Sequence, residues 1–179
     1  MPPDWTVRRI GPDEWQRLRA LRLSALADAP TAFGSTLARE EKFGDEVWQQ
    51  RAADGAAGLT SVTVVAERGG RLVGMASGLS IEPSAQPSHG SLLVGMFVAH
   101  STRRLGIGEA LVESIKGWAR ARGDDRLQLW AVSSNRPALT LYRRCGFEAT
   151  GATRPLAHTP GLIEAHMVAP VSGGPAPGR

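Results

Sequence analysis

The chain has one cysteine, Cys145, in 179 residues. That excludes an internal disulfide and fits a reducing, cytoplasmic compartment. Lysine is almost as scarce. The net charge of +4 is carried almost wholly by arginine, with Lys42 and Lys116 the only lysines. The positive charges are spread along the chain, and no basic run interleaves with aromatics, so no nucleic-acid tract is expected. A basic balance of this kind suits a polyanionic small molecule. No apolar run is long enough to span a bilayer. The first residues, Met1-Pro2-Pro3-Asp4-Trp5, lack the basic and apolar regions of a secretory signal. The histidines are scattered and the cysteine has no partner at ligand spacing, so no metal site is expected. No internal repeat is visible. The length suits one domain, placed over residues 1–170, with 171–179 as a tail of disordered composition in glycine and proline.

What the chain does have is a distinctive turn. Arg103-Arg104-Leu105-Gly106-Ile107-Gly108 follows the apolar run Leu92–Val98, which reads as a buried strand. It precedes a helix whose Leu111, Ile115 and Trp118 recur at helical spacing. Strand, basic glycine turn and helix N-terminus together make an anion site. Glycine lets the backbone approach a phosphate, and the unpaired amides of the first helical turn, Leu105 to Glu109, point at it. Arg103 and Arg104 add charge-assisted hydrogen bonds. A P-loop is excluded because the lysine and hydroxyl that should follow the glycines are missing. The dinucleotide fingerprint is excluded because its third glycine position is Leu111.

A second block lies downstream. Leu127–Val132 reads as a strand. Asn135 caps a helix over Arg136–Arg144 with Pro137 at its second position, and Gly146 ends it. Elsewhere, Trp5–Ile10 alternates as a strand. A helix opens at Pro12-Asp13-Glu14, with Trp15, Leu18, Leu21 and Ala25 on one face. Further helical stretches cover about Ser35–Phe43 and Asp45–Ala53. Thr60–Glu67 and Arg71–Ile81 form a hairpin about Gly69-Gly70, and the final strands lie near Phe147–Thr153 and Gly161–Met167.

Arg103-x-x-Gly106-x-Gly108 after this strand resembles the acetyl-CoA-binding motif of the Gcn5-related N-acetyltransferase (GNAT) superfamily. Asn135-x-x-Ala138-x-x-Leu141-Tyr142-x-x-x-Gly146-Phe147 resembles a second signature of the same superfamily. The segment Arg19-x-x-Arg22 to Ser35 is similar to small bacterial members, with Leu23, Leu26 and Phe33 as core residues. The order of elements is that superfamily's, and the likeness runs from about Thr6 to Val168. It implies an α/β (α+β) fold: a mixed, mostly antiparallel sheet with splayed parallel strands 4 and 5, flanked by helices.

The resemblance also implies roles. Acetyl-CoA is the donor, with its pyrophosphate at Arg103, Arg104, Leu105, Gly106, Ile107, Gly108 and Glu109. Its pantetheine arm lies between the splayed strands, against the backbones of Phe97 and Val98 and near Asn135. One of those two amides polarises the thioester carbonyl. Gly95 sits where a β-bulge would open the gap. Tyr142 is the general acid that protonates the leaving thiolate. The family's frequent acidic or imidazole base on the central strand is missing from Ser91–Val98, which leaves water or Glu82, Glu40 or Glu41. His100 is expected as a loop residue by the phosphate turn, and His89 and His166 at the surface. Cys145 is expected in packing.

The expected activity is acetyl transfer to a primary amine of a small molecule by direct attack in a ternary complex. Protein N-terminal or lysine acetylation and a non-catalytic acyl-CoA sensor remain the alternatives, and a homodimer is left open.

Overall fold

The computed structural model describes residues 3–81 and 90–171. The segment containing Glu82 and His89, and the tail beyond Val171, lie outside these described residues. The elements run β1 (Trp5–Arg9), α1 (Trp15–Asp28), α2 (Leu37–Glu40), α3 (Asp45–Ala57), β2 (Ser61–Arg68), β3 (Arg71–Ser80), β4 (Gly90–Val98), α4 (Ile107–Ala121), β5 (Arg126–Val132), α5 (Arg136–Arg144), β6 (Glu148–Pro155) and β7 (Ile163–Pro170). The seven strands form one sheet in the order β1-β2-β3-β4-β5-β7-β6. All neighbours are antiparallel except β4 and β5. This is the mixed, mostly antiparallel architecture expected, helices on both faces included.

The two faces carry separate cores. Helix α4 lays Ile107, Leu111, Val112 and Ile115 on Val62, Val64, Ala76, Leu127 and Leu129. All four helix side chains are at most 1% exposed. Each such burial is worth about 1.5–3 kcal/mol, so this face is a main anchor of the fold. Gly78 on β3 makes the approach possible, because a Cβ there would lie 2.7 Å from the Trp118 ring. On the opposite face, Leu18, Leu21, Ala25 and Leu26 of α1 and Ala52 of α3 pack on Val65, Met75 and Phe97.

Two features of β4 shape the centre of the molecule. Its parallel register with β5 holds only for Gly90–Arg126, Ser91–Leu127 and Leu92–Gln128. Beyond Leu92 the strands part. Against β3 the register also slips, from Ser77–Val94 to Met75–Phe97, so Gly95 and Met96 together face Ala76. Gly95 has φ +64° in this bulge, a left-handed conformation that glycine adopts without strain. The bulge reverses the strand's facing. Leu93 joins the α4 core and Phe97 the α1 core, although simple alternation would put both on one face.

Two helical expectations need correction. The stretch Ser35–Phe43 is a single turn, Leu37–Glu40, capped by Thr36, whose hydroxyl accepts from the Arg39 amide at 3.3 Å. Phe43 lies outside it and turns its ring toward Trp48, at 6.2 Å between centroids. Helix α3 runs on past Ala53 to Ala57 and ends at Gly58, φ +69°. Gly55 lies inside the helix, where a Cβ would meet Thr63 at 2.7 Å, so the glycine lets α3 pack close on β2.

Candidate active site

The turn after β4 begins with a short 3-10 segment, His100–Thr102, and reaches α4 through Arg104 (φ +65°) and Gly106 (φ +85°). Gly106 is the N-cap residue, and no side chain caps the helix. The amides of Ile107, Gly108 and Glu109 occupy the first turn, where no intrahelical acceptor exists, so they remain available to an anion. Leu105 is exposed and Ile107 anchors the turn in the core. Gly108 sits where helix, helix and strand converge: a Cβ there would lie 3.0 Å from Leu141 Cδ2 and 3.5 Å from Met96 Cε.

The two arginines of the turn differ. Arg103 is already engaged: Nε donates to the Val98 carbonyl at 3.0 Å and Nη2 to Asp28 Oδ2 at 2.6 Å, and Nη1 lies 3.3 Å from His100 Nδ1. The Asp28 pair is solvated, with 45% and 37% of the two side chains exposed. Such pairs contribute about 0–1 kcal/mol, little enough for a phosphate to displace. Arg104 is exposed. Glu109 pairs with Arg144, and Lys116 Nζ donates to the Cys145 carbonyl, so two contacts fasten α5 to α4. Cys145 itself is buried at 6% exposure, in packing as expected.

The main-chain groups of Phe97 and Val98 point different ways. The Ala99 amide donates to the Val73 carbonyl at 2.8 Å, and Phe97 lies opposite Met75. In an antiparallel ladder hydrogen-bonded residues alternate, so Phe97 turns its N–H and C=O to β3 and Val98 turns its own to the β5 side. Val98 therefore borders the gap with its backbone, while Phe97 contributes a buried ring to the α1 core.

Across the gap, Asn135 caps α5: its Oδ1 accepts from the Ala138 amide at 3.2 Å. Tyr142 is 7% exposed and packs edge-on against Phe147, 5.8 Å between centroids. Burial, with a smaller contribution from Cys145, pushes its hydroxyl above the usual phenol range. It therefore keeps its proton at neutral pH, as a donor must.

The face of β4 opposite α4 opens on a cavity of about 510 Å³. Helices α1 and α3 supply Arg22, Trp48 and Arg51; β4 supplies Leu92 to Gly95; β5, β6 and β7 supply Trp130, Arg154 and Glu164. None of these charged residues forms a local motif. Arg22 alone fell inside a recognisable segment, and the partners that give it meaning are remote in sequence.

Glu40 does not lie free in this cavity as a proton acceptor. It is 1% exposed. Arg22 Nη2 donates to it at 2.8 Å and Arg51 Nη1 at 3.0 Å. Burial pushes its carboxyl up, but the bonds and charge of Arg22, then Arg51, outweigh that and hold it below the usual carboxylate range. A carboxylate so held is a poor base. Glu41 is exposed. His166, expected at the surface, is half-buried: Nε2 lies 2.9 Å from Gln128 Oε1, and the ring lies 4.7 Å from that of Trp130. Burial lowers its pKa.

Comparison with known proteins agrees with this geometry. Residues 22–147 match the model of the acetyltransferase (GNAT) family. A GNAT-family acetyltransferase of Streptococcus pneumoniae superposes with a TM-score of 0.79 at 22% identity, covering 94% of this chain and 99% of that one. An N-acetyltransferase of Thermoplasma acidophilum, solved in complex with coenzyme A, superposes at 0.71 with 12% identity, over 94% and 99% of the two chains. The mouse (Mus musculus) protein named "Probable N-acetyltransferase family 8 member 5" is 33% identical over 87 residues, 49% of this chain. The match spans only 38% of that mouse protein's length. The chain belongs to the GNAT acetyltransferase family.

Proposed function

We propose that this GNAT-family protein moves an acetyl group from acetyl-CoA to the primary amine of a small molecule, by direct attack within a ternary complex. The observation that carries the reading is the parting of β4 from β5 beyond Leu92, with the uncapped N-terminus of α4 at its end and Tyr142 on α5. A parted parallel pair leaves strand-edge groups without partners, and an extended ligand arm can supply them. The pyrophosphate is assigned to Arg103, Arg104 and the amides from Leu105 through Glu109. The pantetheine arm is assigned to the Val98 backbone, flanked by Phe97, with Asn135 across from it. The coenzyme A held by the Thermoplasma relative supports this choice of donor.

In this reading Tyr142 donates a proton to the thiolate as it leaves, and a main-chain amide of β4 polarises the thioester carbonyl. The strand has no base of its own, and Glu40 is held by two arginines, so the amine's proton leaves through water. The cavity of about 510 Å³ is of the size that encloses a small molecule, which favours a small acceptor. The single cysteine supports a cytoplasmic setting.

Free thiol release from acetyl-CoA, measured against a panel of small primary amines and of peptides, tests the proposal. Turnover with small amines is expected. Turnover with peptides alone would replace it with protein acetylation. Acetyl-CoA binding without turnover on either would replace it with a sensor role.

A further inference from the structure

The cavity wall formed by α1 and α3 has more donors than acceptors. Arg22 is the central member. Its side chain is 15% exposed, and its guanidinium lies 4.7 Å over the Phe33 ring. Nε and Nη2 are spent on Glu40. Nη1 meets no acceptor among the described residues, and it lies 3.9 Å from where a Cβ on Gly95 would stand. A forked cation therefore presents unused N–H groups beside the bulge at which β4 leaves β5.

Its surroundings repeat the imbalance. Arg51 shares the same Glu40 carboxylate and stacks on Trp48, 4.9 Å from its ring centre. Trp48 is fully buried on the cavity wall, and its Nε1 has no partner among the described residues. Two guanidinium groups and an indole N–H thus stand against one carboxylate, a local excess of donors over acceptors. Of the cavity's other carboxylates, Glu164 is paired with an arginine, and Asp54 is exposed at the rim and bonded to a neutral amide. Glu164 accepts from Arg154 at 2.7 Å, and Asp54 accepts from Gln50 at 2.7 Å. A partly buried guanidinium with an unused N–H edge facing a cavity favours an anion there.

We infer that the acceptor carries a carboxylate close to its amine, as an amino acid does, and that Arg22, oriented by Glu40 and assisted by Arg51, binds that carboxylate beside Gly95. The inference rests on the acetyl-transfer reading above and names its acceptor class. Arg22 is then a specificity-determining residue. Glu40 is a positioning residue, because it fixes the fork that leaves Nη1 free. An amine one carbon from the carboxylate is held at the edge of the β4–β5 gap, where the acetyl group is assigned. The acceptor's remaining chain meets the apolar wall of Phe33, Trp48 and Trp130.

The test compares pairs of acceptors, amino acids and the amines left when their carboxylate is removed, in the native protein, Arg22→Gln and Arg22→Lys. The native protein should favour the acid of each pair by about 30-fold or more in kcat/KM, mostly through KM; removing a partner of a desolvated charge has effects of that order. In Arg22→Gln the ratio should collapse toward one. Arg22→Lys keeps the charge but not the fork, and should retain part of the preference, which guards against a variant that merely unfolds. Native kinetics that prefer the decarboxylated amines would overturn the inference. So would an Arg22→Gln protein that is slower on both acceptors with their ratio intact. Calorimetric binding of the same amino acids, with coenzyme A present, separates this failure from that of the acetyl-transfer reading. Amino-acid binding lost in Arg22→Gln, with no thiol released from acetyl-CoA, would keep the carboxylate site and discard the transfer. Thiol release with no preference for the acids would do the opposite.

Discussion

The two halves of the active region are made of different materials. The half proposed for the donor, from Val98 through the Arg103–Glu109 turn to α5, is largely backbone: free amides at the start of α4, a strand edge at Val98, and glycines where the chain turns or elements close on each other. The half proposed for the acceptor is made of side chains from α1, α3, β5, β6 and β7 that meet around one cavity. A backbone site binds a constant ligand, because its geometry follows from local chain conformation and tolerates little change. A side-chain site can be altered one residue at a time without touching the fold. Gly95 belongs to both halves, since its bulge opens the gap on one side and stands beside Arg22 on the other.

Breaking the donor half should have the largest effect. Gly108→Asp places bulk and negative charge among the amides assigned to the pyrophosphate, and should abolish measurable acetyl-CoA binding by calorimetry. Gly108→Ala is the steric control. Its Cβ meets the flexible ends of Leu141 at 3.0 Å and Met96 at 3.5 Å, so binding should persist. A dissociation constant for the Asp variant equal to that of the native protein would move the pyrophosphate elsewhere.

Tyr142→Phe comes next. It should lower kcat by about 100-fold or more, the range for a lost general acid, and leave acetyl-CoA affinity nearly unchanged. Unaltered turnover would remove Tyr142 from the chemistry and leave it a packing residue beside Phe147.

A substitution at the shared bulge sharpens the comparison. In Gly95→Ala the new Cβ has room, with Arg22 Nη1 at 3.9 Å, so the cost comes from φ +64° alone. Left-handed backbone costs a non-glycine residue about 1–2 kcal/mol. Chemical denaturation should show a loss of that order, together with reduced turnover from both a shifted gap and a shifted Arg22. Full stability would mean that the bulge flattens without penalty.

The smallest effect concerns acid stability in the acceptor half. The folded value for Glu40 lies below its ordinary 4.5. Its contribution is therefore complete above pH 4.5 and is lost as the pH falls through the folded value. Denaturation midpoints followed from neutral pH downward should fall below pH 4.5 less steeply in Glu40→Gln than in the native protein. Parallel curves would show that the pair with Arg22 and Arg51 does not bias folding.

The same difference in materials explains what could be read ahead of the structure. Helix α5 occupies the residues its signals mark, because Asn135 and Gly146 are local start and stop devices, one acting through its side-chain oxygen and the other through its backbone. The bulge at Gly95 was legible for the same reason. Helices α2 and α3 were misjudged because their ends depend on tertiary contacts: Phe43 turns to Trp48, and Gly55 packs against Thr63. Phe97 and Val98 could not be told apart, since the direction of a strand's amides depends on its register with a neighbour. Glu40 looked like a free acid because its partner arginines lie 18 residues before it and 11 after it. The cavity residues Trp130, Arg154 and Glu164 left no local signal at all.

From the sequence alone follow the order of the strands and helices, the basic glycine turn at Arg103–Gly108, the Asn135–Phe147 helix and the family to which both belong. Each rests on chain conformation over a few residues, and hydrophobic periodicity and glycine placement encode that directly. Only the tertiary structure decided that β4 parts from β5 beyond Leu92, that Val98 rather than Phe97 faces the gap, and that Glu40 is bound up by two arginines while Arg22 keeps a free edge beside Gly95. Those outcomes depend on which distant residues come into contact. Those contacts then hold Glu40 ionised and leave some hydrogen bonds unmade, and short-range sequence patterns do not encode either result.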